Sequence, residues 1–258
     1  MGAAHGRGTL HETVELAGLP VARVRKAELL DHVFQALAAG RGGWIVTANV
    51  DFLLRADTDA ALRDLYRQAD WIVADGMPLL WAARLRGRPF PERIAGADLV
   101  LALAWRAALE GRSLHLVGGQ GDAAARAAER LRAEAPGLRI SGLASPWLSS
   151  PPGAAELAAL RAELETARPD LLYVALGSPK QEQLIRALRP ALPGCWMLGC
   201  GISLSFLAGD LQRAPGWVQR TGLEWLHRLG QEPGRLGRRY LVHDLPFALR
   251  LLWRSARR

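Results

Sequence analysis

At 258 residues, half of them apolar, the chain can bury a core as one α/β domain with a small appendage. Two cysteines, Cys195 and Cys200, make neither a disulfide framework nor a zinc set, and no apolar run approaches the roughly 18 residues of a membrane-spanning helix. The net charge of +8 is uneven: residues 213–258 carry ten arginines against Glu224, Glu232 and Asp244, which is +7 and leaves about +1 for the rest. A basic surface confined to one end suits an anionic partner such as phosphates, anionic lipid or nucleic acid.

Residues 1–11 are polar and Gly-rich, lack the cationic start and apolar run of a signal peptide, and read as a loose terminus. Thr13–Leu16 and Pro20–Val24 flank a turn at Gly18 and predict a hairpin. Leu29, Leu30, Val33, Phe34 and Leu37 recur at helical spacing. Trp44-Ile45-Val46 then runs as a strand into Thr47-Ala48-Asn49. Asp57-Thr58-Asp59 is formally a DxD, a metal-holding pattern in some sugar-nucleotide enzymes. It precedes Ala60-Ala61-Leu62 rather than ending a strand, so N-capping is the expected job.

Trp71–Ala74 is the next strand and delivers Asp75-Gly76, a carboxylate at a strand's carboxyl end beside a glycine turn. N-capping is its plain alternative, yet Met77-Pro78 offers a separate helix start. Arg93 to Asp98 leads into an apolar helix through Trp105. Leu114–Val117 is a strand followed by Gly118-Gly119-Gln120-Gly121, and Gly119, Gly121 and Ala124 form a GxGxxA that brings a dinucleotide site into consideration. The strand Arg139–Ala144 ends in Ser145-Pro146-Trp147, with no acid before Glu156, so a nicotinamide-dependent oxidoreductase would lack its ribose contact. A loop over Ser149–Gly153 and a helix from Ala154 to Thr166 follow.

Leu171–Leu176 reads as a buried strand closed by Gly177, and Ser178, Pro179 and Gln181 read as a capping box with proline at the first helical position. A strand that turns straight into a helix points backbone N–H groups at the crevice where open α/β sheets bind phosphorylated ligands. Lys180, one of only two lysines, and Gln181 are candidate ligand contacts there, with Ser178 either a contact or merely a cap. Cys195–Leu198 with Gly199-Cys200-Gly201 is a last strand and tight turn. Strands alternating with helices predict a mainly parallel, Rossmann-like sheet covered on both faces. The loops Thr47–Asn49, Asp75–Gly76, Gly118–Gly121, Gly177–Gln181 and Gly199–Gly201 would share one rim. The domain reading is thus a catalytic unit over 12–212 and a basic helical appendage over 213–258. The histidines are scattered and no metal site is expected.

Thr47-x-Asn49, Asp75-Gly76, Arg93-x-x-Gly96-x-Asp98, Gly118-Gly119, Gly177-Ser178-Pro179-Lys180-Gln181-Glu182 and Gly199-x-Gly201 stand in the order seen in the WecG/TagA/CpsF glycosyltransferases. The tail adds Arg213-Ala214-Pro215, Gly222-Leu223-Glu224-Trp225, Arg228-Leu229, Glu232-Pro233, Arg235 and Arg238-Arg239-Tyr240, and the chain resembles that family from about residue 14 to 245. The resemblance implies sugar transfer from a UDP-sugar to an undecaprenyl-diphosphate-linked acceptor, with inversion, no metal and no cofactor beyond the UDP-sugar co-substrate. It implies donors of the N-acetylmannosamine, related hexose or uronic-acid kind, and work at the cytoplasmic face of the cell membrane. Carried over by position, Asp75 is the general base, with Thr47, Asn49, Arg93 and Gln181 around donor and acceptor. The tail arginines would close the site and touch diphosphate or an anionic membrane surface. The charge imbalance singles out Arg213, Arg228, Arg235 and Arg238 for completing it. Departures from the family pattern are Ala95 for a Thr or Ser, Leu204-Ser205 for Phe-Asp, and His227 for an aromatic. Two other readings stand beside this one: the oxidoreductase above, and a catalytically silent nucleotide-binding protein. No nucleic-acid recognition fold accompanies the basic tail, and self-association is left open.

Overall fold

The computed structural model describes residues 11–119, 121–145, 149 and 151–257, Arg220 in its backbone alone. The Pro146-Trp147 strand exit and all of the expected loose terminus except His11 lie outside those residues. His11 itself stacks on Trp71 with ring centroids 3.8 Å apart.

Strands β1 (Thr13–Leu16) and β2 (Leu19–Ala22) form the expected antiparallel hairpin. Its two turn residues, Ala17 and Gly18, both have left-handed backbones (φ +48° and +78°), the primed-turn geometry that fits the twist of a two-residue hairpin. Glycine is further required at 18, because a Cβ there would lie 2.6 Å from Cδ of Arg63.

Six more strands build one parallel sheet: β3 (Gly43–Ala48), β4 (Trp71–Ala74), β5 (Ser113–Gly118), β6 (Arg139–Ala144), β7 (Leu171–Ala175) and β8 (Trp196–Gly199). Their spatial order is β4-β3-β8-β7-β5-β6. Alternate residues feed two apolar layers, as strand geometry demands. Trp44, Val46, Ala48, Leu172 and Val174 face the layer built from helices 50–58, 77–85 and 180–188. Ile45, Val73, Leu171, Tyr173 and Leu198 face the layer built from helices 26–38, 96–109 and 123–134. Burial on both faces is why these strands read as unbroken apolar runs. Edge strand β6 instead alternates between exposed and half-buried positions until Ala144, its one buried residue. The fold is the Rossmann-like α/β arrangement expected, and every parallel strand ends on the same rim.

Both cysteines are buried at β8, their thiols hydrogen-bonded to the backbone carbonyls of Trp196 and Val174. Burial pushes the Cys200 thiol up to about 12 and the Cys195 thiol higher still. Asp59 caps the helix that starts at Ala60, accepting from the N–H groups of Ala61 and Leu62 at 2.8 and 3.1 Å. The capping expected of Ser178 is not found. The helix Lys180–Leu188 has Pro179 at its cap position and no side-chain cap. The Ser178 hydroxyl is engaged elsewhere, 3.0 Å from the Tyr66 hydroxyl.

Residues 213–257 form short helices at 216–221, 224–231 and 233–238, a π-helical stretch at 239–244 and a final helix at 245–256. Phe247 and Leu251 reach the core layer beside helix 77–85. Gly222 (φ +79°) sits so close to that helix that a Cβ would lie 2.8 Å from Cγ of Met77. Leu241, Leu245, Leu249 and Trp253, four residues apart, make one stripe exposed to solvent.

Candidate active site

The rim above β3, β4 and β8 opens into a pocket whose floor comes from the strand ends and the helix starts after them, and whose other walls come from residues 93–97, 202–206 and 213–248. Asp75 is the first residue past β4. Its N–H donates to the Ala48 carbonyl at 2.8 Å, which pins the backbone to the neighbouring strand. One carboxylate oxygen accepts from the Gly96 N–H at 2.9 Å, so the side chain turns away from the helix that Gly76 begins. Gly96 is fixed by that contact, since a Cβ would meet Oγ1 of Thr47 at 3.0 Å, Oδ2 of Asp75 at 3.5 Å and Oγ of Ser203 at 3.7 Å. Burial raises Asp75 to about 6, opposed by the Gly96 N–H and by Arg93 and Arg213, and assisted by Glu224. A carboxylate that desolvates toward neutrality while facing a cleft is suited to general-base work near pH 7.

Around Asp75 the pocket carries four guanidinium groups, Arg93, Arg213, Arg228 and Arg239, and four carboxyl groups, Asp51, Asp75, Glu224 and Asp244. Most are paired. Arg93 donates to Glu224 at 3.0 Å. Arg213 pairs with Asp98 and lies 3.8 Å from Glu224. Arg239 bridges Asp51 at 3.2 Å and Asp244 at 3.3 Å. Arg228 has no ion pair among the described residues, and its charge lies 6.0 Å over the Phe206 ring. Buried N–H groups of Arg213 (Nε and Nη2) and Arg228 (Nε) have no hydrogen-bond partner among the described residues. Such orphaned donors are costly to leave unpaired and mark where an anionic ligand would bind.

The sequence-predicted residues therefore separate into two sets. Asn49, Asp75, Arg93, Arg213 and Arg228 meet at the pocket. Asn49 spends its side-chain oxygen capping helix 50–58 at 3.0 and 3.3 Å, which leaves its amide N–H groups for a ligand. Thr47 packs just below, against Gly96. Gly118, Gly119, Ser178, Lys180, Gln181 and Gly201 occupy the same sheet rim but do not line the pocket. Gln181 is buried with both ends of its amide in use, donating to Glu182 at 2.7 Å and accepting from the Gly201 N–H at 3.1 Å. It fastens the loops after β7 and β8 together. Arg235 is taken up by Glu232 on the surface, and Arg238 is exposed and outside the lining.

Arg239, the neighbour of Arg238, takes the inward place, and Glu224, Trp225 and Tyr240 join it. None of these was assigned a role from sequence. Their signal lay in the tail motifs, which carry no period that separates inward from outward side chains on helices this short. No group of three or more metal-ligating side chains occurs among the described residues.

Residues 14–258 match the model of the glycosyl transferase WecG/TagA/CpsF family. The chain belongs to the WecG/TagA/CpsF glycosyltransferases. Its activity class is thus transfer of a glycosyl group in cell-surface polysaccharide synthesis. Among the departures from the family pattern, Ala95 lines the pocket, whereas Ser205 and His227 stand outside its lining. His227 is 2.9 Å from the Gln231 amide. No described helix is long and apolar enough to cross a membrane.

Proposed function

We propose that the chain transfers a hexose of the N-acetylmannosamine, uronic-acid or related kind from a UDP-sugar to an undecaprenyl-diphosphate-linked saccharide, by single displacement with inversion. Asp75 takes the proton from the acceptor hydroxyl, and arginines rather than a metal neutralise the departing diphosphate. The observation that carries this reading is the meeting of Asp75 with Arg213 and Arg228 in one pocket, where buried guanidinium N–H groups lack partners among the described residues. An inverting displacement needs a base on one side of the anomeric carbon and charge stabilisation on the other. The base contributes typically about 10²–10⁴-fold, and one preorganised donor to a developing oxyanion about 3–4 kcal/mol. A helix end alone offers at most about 2 kcal/mol, so guanidinium groups supply what the strand-end loops do not.

The Leu241, Leu245, Leu249 and Trp253 stripe, flanked by Arg250, Arg254 and Arg257, fits an interfacial helix. It supports a peripheral position on the inner face of the cell membrane, where a lipid-linked acceptor resides. The deciding experiment is UDP release by the full chain from a panel of UDP-sugars, with and without a polyprenyl-diphosphate-linked monosaccharide. Acceptor-dependent release from at least one donor is expected. Folded protein that releases none, and whose melting temperature UDP does not raise, would remove the proposal.

A further inference from the structure

Glu224 stands out among the four carboxyl groups of the pocket because it lies between two of its arginines, where a diphosphate needs positive charge. It sits in the appendage, with its side chain about one-fifth exposed. One oxygen accepts from Arg93 of the catalytic unit at 3.0 Å, and the other lies 3.8 Å from Arg213. Both arginines also act on Asp75, lowering its proton affinity, and Glu224 acts in the opposite sense. A carboxylate placed among cations beside a base has a physical consequence. Unscreened by Glu224, two guanidinium charges would hold Asp75 ionised but make it a poor proton acceptor.

We propose that Glu224 is a positioning residue for the transfer reaction: it holds Arg93 and Arg213 at the pocket that Asp75 lines and offsets their charge there. The inference rests on the assignment of this pocket as the transferase site. It separates two demands that conflict on one surface, since the leaving diphosphate requires positive charge and the base requires that charge to be muted. When the diphosphate arrives, it adds anionic charge around the arginines, and Glu224 fills that role before it does.

The charged groups that line the pocket with Asp75, or pair with its lining, can be named by element. Arg93 comes from the loop before helix 96–109 and Asp98 from its first turn. Arg213, Glu224 and Arg228 come from the appendage. Asp51 comes from helix 50–58, and its pair Arg239 with Asp244 from the π-helical stretch. Asp51 is already matched by Arg55 and Arg239, Asp244 by Arg239, and Asp98 by Arg213. Among the described residues Glu224 lies within ion-pair distance of both arginines that act on Asp75, whereas Asp98 pairs with Arg213 and acts on Arg93 only through space.

The test reads the carboxyl carbon of Asp75 directly, by ¹³C NMR titration of full-length protein labelled at aspartate, the resonance assigned by its loss in Asp75→Asn. In Glu224→Gln the Asp75 titration is expected to move down by about one pH unit, a tenfold change in acidity. Glu224→Asp restores it toward the wild-type value. A titration midpoint unchanged in Glu224→Gln overturns the proposal. Should that variant fail to fold, Arg93→Gln serves in its place, expected to move Asp75 upward, and no movement there is equally fatal. Calorimetric binding of UDP to the wild-type chain runs alongside. If UDP binds and the Asp75 midpoint stays put, the Glu224 inference fails while the site assignment stands. If UDP does not bind, the assignment itself fails.

Discussion

The strand-end floor and the appendage roof of the pocket are built by different physics. The floor hangs from a six-stranded sheet buried on both faces, so Thr47, Asn49 and Asp75 inherit their positions from apolar packing and ladder hydrogen bonds. The roof meets the floor through guanidinium–carboxylate pairs, Arg93–Glu224, Arg213–Asp98 and Arg239–Asp51, plus the close seat of Gly222 on Met77. Behind it, Phe247 and Leu251 of the final helix pack into the apolar layer beside helix 77–85. A sheet-built half thus aims the proposed base, while a half that meets it largely through ion pairs at the pocket supplies the charge. Damage to the floor is expected to cost chemistry, and damage to the roof to cost leaving-group stabilisation and membrane contact.

The largest effect is expected at the floor. Asp75→Asn will lower turnover by about 10²–10⁴-fold while UDP affinity, measured by calorimetry, stays within a few-fold. The wild-type rate is expected to rise with pH through about 6, the value to which burial brings Asp75, as the base ionises. Next comes the roof. Arg228→Ala removes a cation that no ion pair holds among the described residues, so kcat/KM should fall by about 10²-fold or more. Its melting temperature is expected to stay nearly constant.

The core was legible because its strands are short unbroken apolar runs bounded by turn residues. Leu171–Val174 and Trp71–Ala74 are too short for buried helices and β-branched or aromatic enough for strands, and their ends fix where Asp75 and Gly177 fall. The appendage was legible in charge but not in direction. Arg238 was singled out and is exposed, while Arg239 reaches Asp51 and Asp244. On a six-residue helix running into a π-helical stretch, one position turns a side chain by about 100°, and no apolar stripe announces which way. Ser178, open in sequence to either a ligand contact or a cap, has the spacing to Gln181 that a cap requires. Tertiary contact with Tyr66 overrode the local signal.

A smaller effect contrasts the two halves through stability. Asp75 is raised in the folded chain relative to an unfolded aspartate, so the native state holds the extra proton between about pH 4 and 6 and loses stability as pH climbs through that window. Asp75→Asn, which cannot ionise, is expected to melt about 2–6 °C above wild type at pH 8. At pH 4 it should show no advantage in the same scanning measurement. The smallest effect belongs to the outer surface. The double variant Leu249→Glu with Trp253→Glu is expected to lower retention on anionic vesicles severalfold in flotation, with UDP binding unchanged, because both side chains lie outside the pocket lining.

The two thiols of β8 give the molecule an internal gauge. Cys195 and Cys200 are neutral and shielded while the strand is in place, and only a thiolate that reagent can reach is alkylated. Labelling therefore counts the openings of the one strand that leads into the Gly199–Gly201 turn, and it needs neither donor nor acceptor. A nucleotide that slows the labelling would betray its binding before any sugar has been identified.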